Sequence, residues 1–191
     1  MKTMIERAIG VLLRPIRGHD AQLLCRDPRL AGVLTAMVLT SPAFAEGESI
    51  PRRHAGLGAG QNLSPPLQWR GVPPETVGLV LVMQDPDAPL PRPVTHLVAI
   101  DIPVDSDGVV EGSLVPEASA AIVFRRGSFG RIGYAGPRPV RGHGEHRYVF
   151  QLFALARPLP AIDIPDVEAL ASVMAGRVLT SATLTGTYRR S

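Results

Sequence analysis

The chain is short of several things, and each shortage narrows what it can be. Its 191 residues include one cysteine, Cys25, so no intrachain disulfide can hold the fold, and a reducing compartment suits it. Aromatic residues make up 5% of the chain, with one tryptophan, so the core must be built mainly from aliphatic side chains. Lysine is almost absent: nearly all the basic residues are arginine, which reads as coding bias. No apolar segment reaches the roughly 20 residues needed to span a bilayer. No internal repeat is visible. The net charge of +3 is small and uneven. Residues 1–30 hold six Lys/Arg against three Asp/Glu, and the rest of the chain is balanced, so the charge makes no general case for a nucleic-acid partner.

What is present points to a packed globule of strands. The apolar fraction is 45%, and 19 Gly and 19 Pro punctuate the whole chain. Such a length favours one domain with a full core. "TVGLVLVMQD" (76–85) is a continuous apolar run, fit for a strand buried on both faces. The proline-rich "DPDAPLPRP" ends it, and "THLVAIDIP" (95–103) reads as a second buried strand. Further strands are expected at "SAAIVF" (119–124), "RYVFQLFAL" (147–155) and "SATLTGTYRR" (181–190), with Trp69 as a core anchor and an acidic loop at "DSDGVVEG". "PDVEALASVMAGRVL" (165–179) has helix signals at both ends. The expected fold class is mainly β, two packed sheets with a few peripheral helices.

The N-terminus admits two readings. "GVLTAMVLTSPAFAEGE" (32–48) looks like the end of a secretory signal, which would make the protein periplasmic. Its flanks argue otherwise, because Arg26, Asp27 and Arg29 stand just before the apolar run. A retained first strand at 35–41 and a cytoplasmic location are the expectation. In "TMIERAIGVLLR" (3–14), Ile5, Ala8, Ile9, Leu12 and Leu13 share one helical face. That face is expected to dock on the domain or on a second subunit; with Arg7, Arg14 and Arg17 it could also lie on a membrane surface. The expected division is a helical extension, 1–30, and a domain, 31–191.

The chemistry gathers near "GHGEHRYVF" (142–150). His146 and Tyr148 have strand spacing and share a face. Asp85 ends one strand and His96 begins the next. Six arginines crowd residues 125–147 and would attract an anion. Three readings compete. A metal could use His143, His146 and an aspartate, though the arginines oppose a cation. A hydrolase could use Ser64 or Ser128 with a histidine and an aspartate, though no nucleophile elbow is present. An anion pocket would use imidazole, phenol and main-chain donors. His19 and His54 read as surface residues.

"NLSPPLQW", "DPDAP", "THLVAIDIP", "YAGPRPVRGHGEHRYVFQLFAL" and "TGTY" occur in that order. Together they resemble the phosphatidylethanolamine-binding protein family, in its bacterial Raf-kinase-inhibitor-like branch, from roughly Leu39 to Arg189. The resemblance implies a β-sandwich of Greek-key type. It implies a surface cavity for phosphate, carboxylate or phosphorylethanolamine headgroups, and a binding protein with neither catalytic residue, metal nor cofactor. Its cavity residues would be Asp85, Pro89, His96, Gly136, Pro139, His146 and Tyr148, with Pro89 a candidate cis proline. The implied partner is a small anionic ligand or phospholipid headgroup, with a homodimer as a further expectation. Inhibition of a kinase or protease by protein contact is the alternative, and an esterase or phosphoesterase comes third. The chain departs from the family pattern at Thr95 and Leu97, where many relatives carry Trp, at Val140 in place of Pro, and at Gly127 in place of Asn.

Overall fold

A computed structural model describes residues 2–190. In chain order its elements are α1 (Lys2–Leu13), β1 (Val38–Thr40), β2 (Leu67–Arg70), β3 (Gly78–Asp85), β4 (Val94–Ile102), β5 (Gly108–Val109), β6 (Val123–Phe124), β7 (Glu145–Leu155), α2 (Val167–Met174) and β8 (Val178–Arg189). One antiparallel sheet has the order β6-β4-β3-β7-β8, and a smaller one β1-β2-β5. The mainly β class is as expected. So are the long strands and α2, whose first turn is capped by the Asp166 side chain accepting from the Ala169 N–H. Two pieces differ. The strand expected at 119–124 shrinks to Val123–Phe124, and the acidic loop contributes the short strand β5 against β2.

The continuous apolar run of β3 follows from two cores, one on each face of the larger sheet. Leu79, Leu81 and Met83 join Tyr148, Phe150 and Leu152 of β7 and Leu39, Leu67 and Trp69 of the smaller sheet. Val80 and Val82 join Val98, Phe153 and Leu155, covered by Leu170, Ala171 and Met174 of α2. With both faces buried, no polar position is left for alternation to use.

Residues 20–30 form three short 3-10 turns over that second core. Leu24 and Leu30 belong to it. The Leu24 N–H donates to Gln84 Oε1 (2.8 Å) and the Cys25 N–H to Gln151 Oε1 (2.7 Å), while the Gln151 amide donates to Gln84 (2.9 Å). Two glutamines buried on adjacent strands thus satisfy each other and the backbone above them. Packing therefore runs straight across the division expected after residue 30. All described peptide bonds are trans, the one before Pro89 included, contrary to the expected cis proline. No described helix is long and apolar enough to cross a membrane.

Candidate functional site

The ends of β3, β4 and β7 bring four of the expected residues together. Asp85 closes β3, His96 lies near the start of β4, and His146 and Tyr148 face the same way from β7. A register shift between Met83 and Gln84 interrupts the β3–β4 pairing beside His96. Such an irregularity re-aims side chains. The His96 ring meets Tyr148 edge-on at 5.3 Å, while Leu97 still enters the core shared with Tyr148. The His146 ring lies roughly parallel to Tyr148 at 6.5 Å.

Asp85, His146 and Tyr148 are buried, and His96 is half-buried. The His146 Nδ1–H donates to Asp85 Oδ2 (2.8 Å). The other carboxylate oxygen of Asp85 accepts from the Asp87 N–H (2.8 Å). His143 Nδ1 meets His146 Nε2 at 2.7 Å, and His143 Nε2 meets the Leu13 carbonyl at 3.0 Å. Hydrogens can be counted along this row. The Leu13 carbonyl only accepts, so His143 Nε2 carries a hydrogen. An ionised Asp85 only accepts, so His146 Nδ1 carries one too. The short N···N contact then needs a further hydrogen, so the two rings together hold one proton more than two neutral imidazoles. Burial first, then the charge of His146, disfavours a charged His143. The hydrogen between the rings links His143 to His146, whose other nitrogen is held by Asp85.

His96 has a different state. Its Nδ1–H donates to the Ala135 carbonyl (2.7 Å), and burial lowers its proton affinity although Asp85 and that carbonyl pull the other way. A neutral His96 so fixed keeps a bare Nε2 as an acceptor. Burial, then the charge of Asp85, pushes the Tyr148 phenol well above its ordinary range. It stays an O–H donor, and that hydroxyl is enclosed without a well-formed hydrogen bond, although the Asp85 carboxylate and the Arg138 backbone lie close enough to act on it.

The remaining expected residues lie around this cluster. Gly136 is buried directly after Ala135, which holds His96, and its N–H donates to Asn62 Oδ1 (2.8 Å). Pro139 is buried in the same loop, and Pro89 is half-buried beyond β3. Neither proline is tied to the imidazoles by a described contact. A cavity of about 560 Å³ exists elsewhere, lined by Leu24, Arg29, Gln84, Thr95, Ser128 and Glu168 among others, and the imidazole cluster is not part of it.

Other expectations need correction or completion. His54 is not a surface residue: it is 0% exposed, its Nδ1 bonds to the Leu63 carbonyl (2.9 Å), and Tyr134 Oη donates to its carbonyl (2.8 Å). His19 is half-buried. Ser64 Oγ accepts from the Leu114 N–H (3.1 Å) and Ser128 Oγ from the Thr95 N–H (2.9 Å). Neither serine bonds to an imidazole among the described residues. The departure at Gly127 has a steric cause, since a Cβ there would stand 2.6 Å from the Thr95 carbonyl oxygen. His143 enters the sequence reading only as a metal ligand, and its neighbours in the structure are His146 and the end of α1. Its spacing of three from His146 was the one signal in the sequence.

A second cluster stands beside the first. Asp87 is buried and takes the Arg147 backbone N–H (3.0 Å), Nε (2.8 Å) and Nη2 (2.9 Å), with Arg17 at 3.5 Å. Burial alone would raise the Asp87 carboxyl, but these arginine contacts prevail and hold it at about 2. Arg147 also grips Asp20 with two further bonds (2.7 and 2.9 Å).

Comparison with known proteins agrees with the fold. Residues 40–189 match the family model for phosphatidylethanolamine-binding protein. A UPF0098 protein of Aquifex aeolicus is 39% identical over 160 residues, covering 81% of this chain and 89% of its own. Among solved structures, a phosphatidylethanolamine-binding protein homologue from Chlamydia trachomatis aligns with a TM-score of 0.73 at 33% identity, over 82% of this chain and all but 1% of that one, which it covers to 99%. YbcL of E. coli, described as a new member of the mammalian family, aligns at 0.75 and 26% identity, over 82% of this chain and 100% of its own. The chain belongs to the phosphatidylethanolamine-binding protein family.

Proposed function

We propose that this chain is a non-catalytic binding protein that takes a small anionic group, a phosphate, a carboxylate or a phosphorylethanolamine-like headgroup, among Asp85, His96, His146 and Tyr148. The observation that carries this is the Tyr148 hydroxyl, a buried donor without a well-formed hydrogen bond, close to the Asp85 carboxylate and with two imidazoles against its ring. A buried hydroxyl so poorly satisfied costs up to about 1–3 kcal/mol. An anionic oxygen at that spot reduces the penalty and meets the imidazoles beside it. Asp85 holds the His146 ring in place. The bare Nε2 of His96 suits a ligand carrying its own donor, such as a phosphomonoester hydroxyl or an ammonium group. Gly136, Pro139 and Pro89 shape the walls. Among the described residues Ser64 and Ser128 bond to backbone N–H groups and not to an imidazole, which does not favour a hydrolase built on them. Met37 and Leu39 lie in the core, which supports retention of residues 32–48 and a cytoplasmic protein.

Calorimetric titration tests the site. Phosphorylethanolamine and, separately, inorganic phosphate are added to wild type and to His146→Ala, in buffer free of other anions of this kind. The expected result is a fall in affinity of at least about tenfold in the variant. Equal affinity in both proteins would overturn the assignment. The two ligands together report whether the ethanolamine end adds anything.

A further inference from the structure

Helix α1 is mounted inside out. An amphipathic helix on a globular domain normally turns its apolar stripe inward. Here the residues turned toward the domain are Glu6, Gly10 and Leu13, one helical stripe, and Gly10 is the buried one. Met4, Ile5, Ile9, Val11 and Leu12 face solvent, Met4 and Leu12 with 78% and 79% exposure, and Ile16 just beyond is also exposed. The mounting is specific. A Cβ on Gly10 would collide with the Arg141 carbonyl oxygen and stand 2.8 Å from the His143 nitrogen, so this side of the helix must lie against the 141–143 backbone. Polar bonds fix the roll of the helix: Arg14 Nε to the Gly142 carbonyl (2.8 Å), Arg190 to Glu6 (2.7 Å), and the Leu13 carbonyl to His143. The opposite roll, with leucines and isoleucines inward, would bring Cβ-bearing side chains where only Gly10 fits.

We propose that the outward face of α1 is a docking surface for an anionic membrane. Two features select that occupant over a second copy of the chain. The helix is 12 residues long, about 18 Å, and a strip about 10 Å wide along it offers roughly 200 Å², far below the ~800 Å² each partner contributes to a stable dimer. A helix lying in a lipid interface has no such threshold. Charge also favours lipid. Arg7 on the helix and Arg14 just after it are exposed, and Arg14 spends only its Nε on a carbonyl, whereas Glu6 is already tied to Arg190 and Arg17 to Asp87. Two copies would oppose these arginines to one another; an anionic bilayer complements them. The surface goes beyond the ligand reading and stands without it. Since α1 ends on the Leu13 carbonyl that holds His143, a helix lying on a bilayer would also set the imidazole cluster at the bilayer surface.

Flotation of the full chain with lipid vesicles tests the proposal. One set is phosphatidylcholine alone, the other contains about a third phosphatidylglycerol. Wild type is expected to float with the anionic set, less so at high salt. A Met4→Gln, Ile5→Gln, Leu12→Gln variant is expected to lose at least about tenfold in partitioning while its thermal melt stays that of wild type, because these side chains already face water. Val110→Gln, which removes an exposed apolar side chain just after β5, is expected to float like wild type. The proposal is overturned if wild type does not float, if the triple variant floats equally well, or if Val110→Gln loses as much as the triple variant. It is overturned too if sedimentation shows a dimer that the triple variant abolishes, since the face would then be covered by a second copy.

Discussion

Residues 2–16 and residues 20–30 are neighbours in the chain and opposites in how they are held. The first stretch keeps its apolar side chains in water and attaches through arginines, carbonyls and one glycine. The second buries Leu23, Leu24 and Leu30 and gives its backbone hydrogens to Gln84 and Gln151. By composition both look like parts of one basic arm. Packing makes the second stretch a portion of the domain core and leaves the first as a mounted attachment. The seam between them is Asp20 and Gly18–His19, where Arg147 and the Pro86 carbonyl take hold.

The largest effect should come from breaking the second stretch. Deleting residues 1–30 removes three leucines from the core and strands two glutamines, so it should unfold or aggregate the protein. Deleting residues 1–16 should leave a cooperative melt. The single change Leu24→Ala is expected to cost about 2–5 kcal/mol by urea titration, against about 0.5 kcal/mol or less for Leu12→Ala. Equal costs would erase the distinction.

Next comes the seam. Arg147→Ala leaves the Asp87 carboxylate buried without its main partner, and since Arg147 itself is part-exposed we expect a loss of about 2–3 kcal/mol by the same titration. A second change, Asp87→Asn on that background, should recover part of it. No recovery would mean that the stranded charge is not the cause.

A smaller effect is expected from pH. Burial lowers the proton affinity of His54, His96 and His143 from the ordinary 6.5. An unfolded chain therefore binds more protons than the folded one near and below that value. The stability these groups contribute is full above about pH 6.5 and is lost as pH falls through their folded range. The melting temperature should drop between about pH 7.5 and pH 5. A flat melting profile would contradict the neutral, buried imidazoles.

The sequence made the sheet legible where burial is two-sided. The runs of β3, β4 and β7 are too apolar to be anything but interior, and Asp85, His96, His146 and Tyr148 stand at their ends. The smaller sheet was harder to read, because β2 has four residues and β5 two, and their pairing is nonlocal. His54 looked exposed since it follows Arg52 and Arg53, yet it turns inward under Tyr134. The roll of α1 was misjudged for a physical reason. Periodicity locates an apolar face, but only the tertiary contact at Gly10 decides which way that face points. His143 escaped the site because its partner, the Leu13 carbonyl, carries no side-chain signal and lies 130 residues away.

The anion site is tested most directly by Tyr148→Phe, which removes one oxygen and leaves the ring. Titrated with phosphorylethanolamine, the variant should bind at least about tenfold more weakly, about 1.4 kcal/mol, than wild type. Its melting temperature should stay close to that of wild type, because the buried hydroxyl taken away makes no well-formed hydrogen bond. Unchanged affinity would contradict the account, for the buried hydroxyl would then meet no ligand.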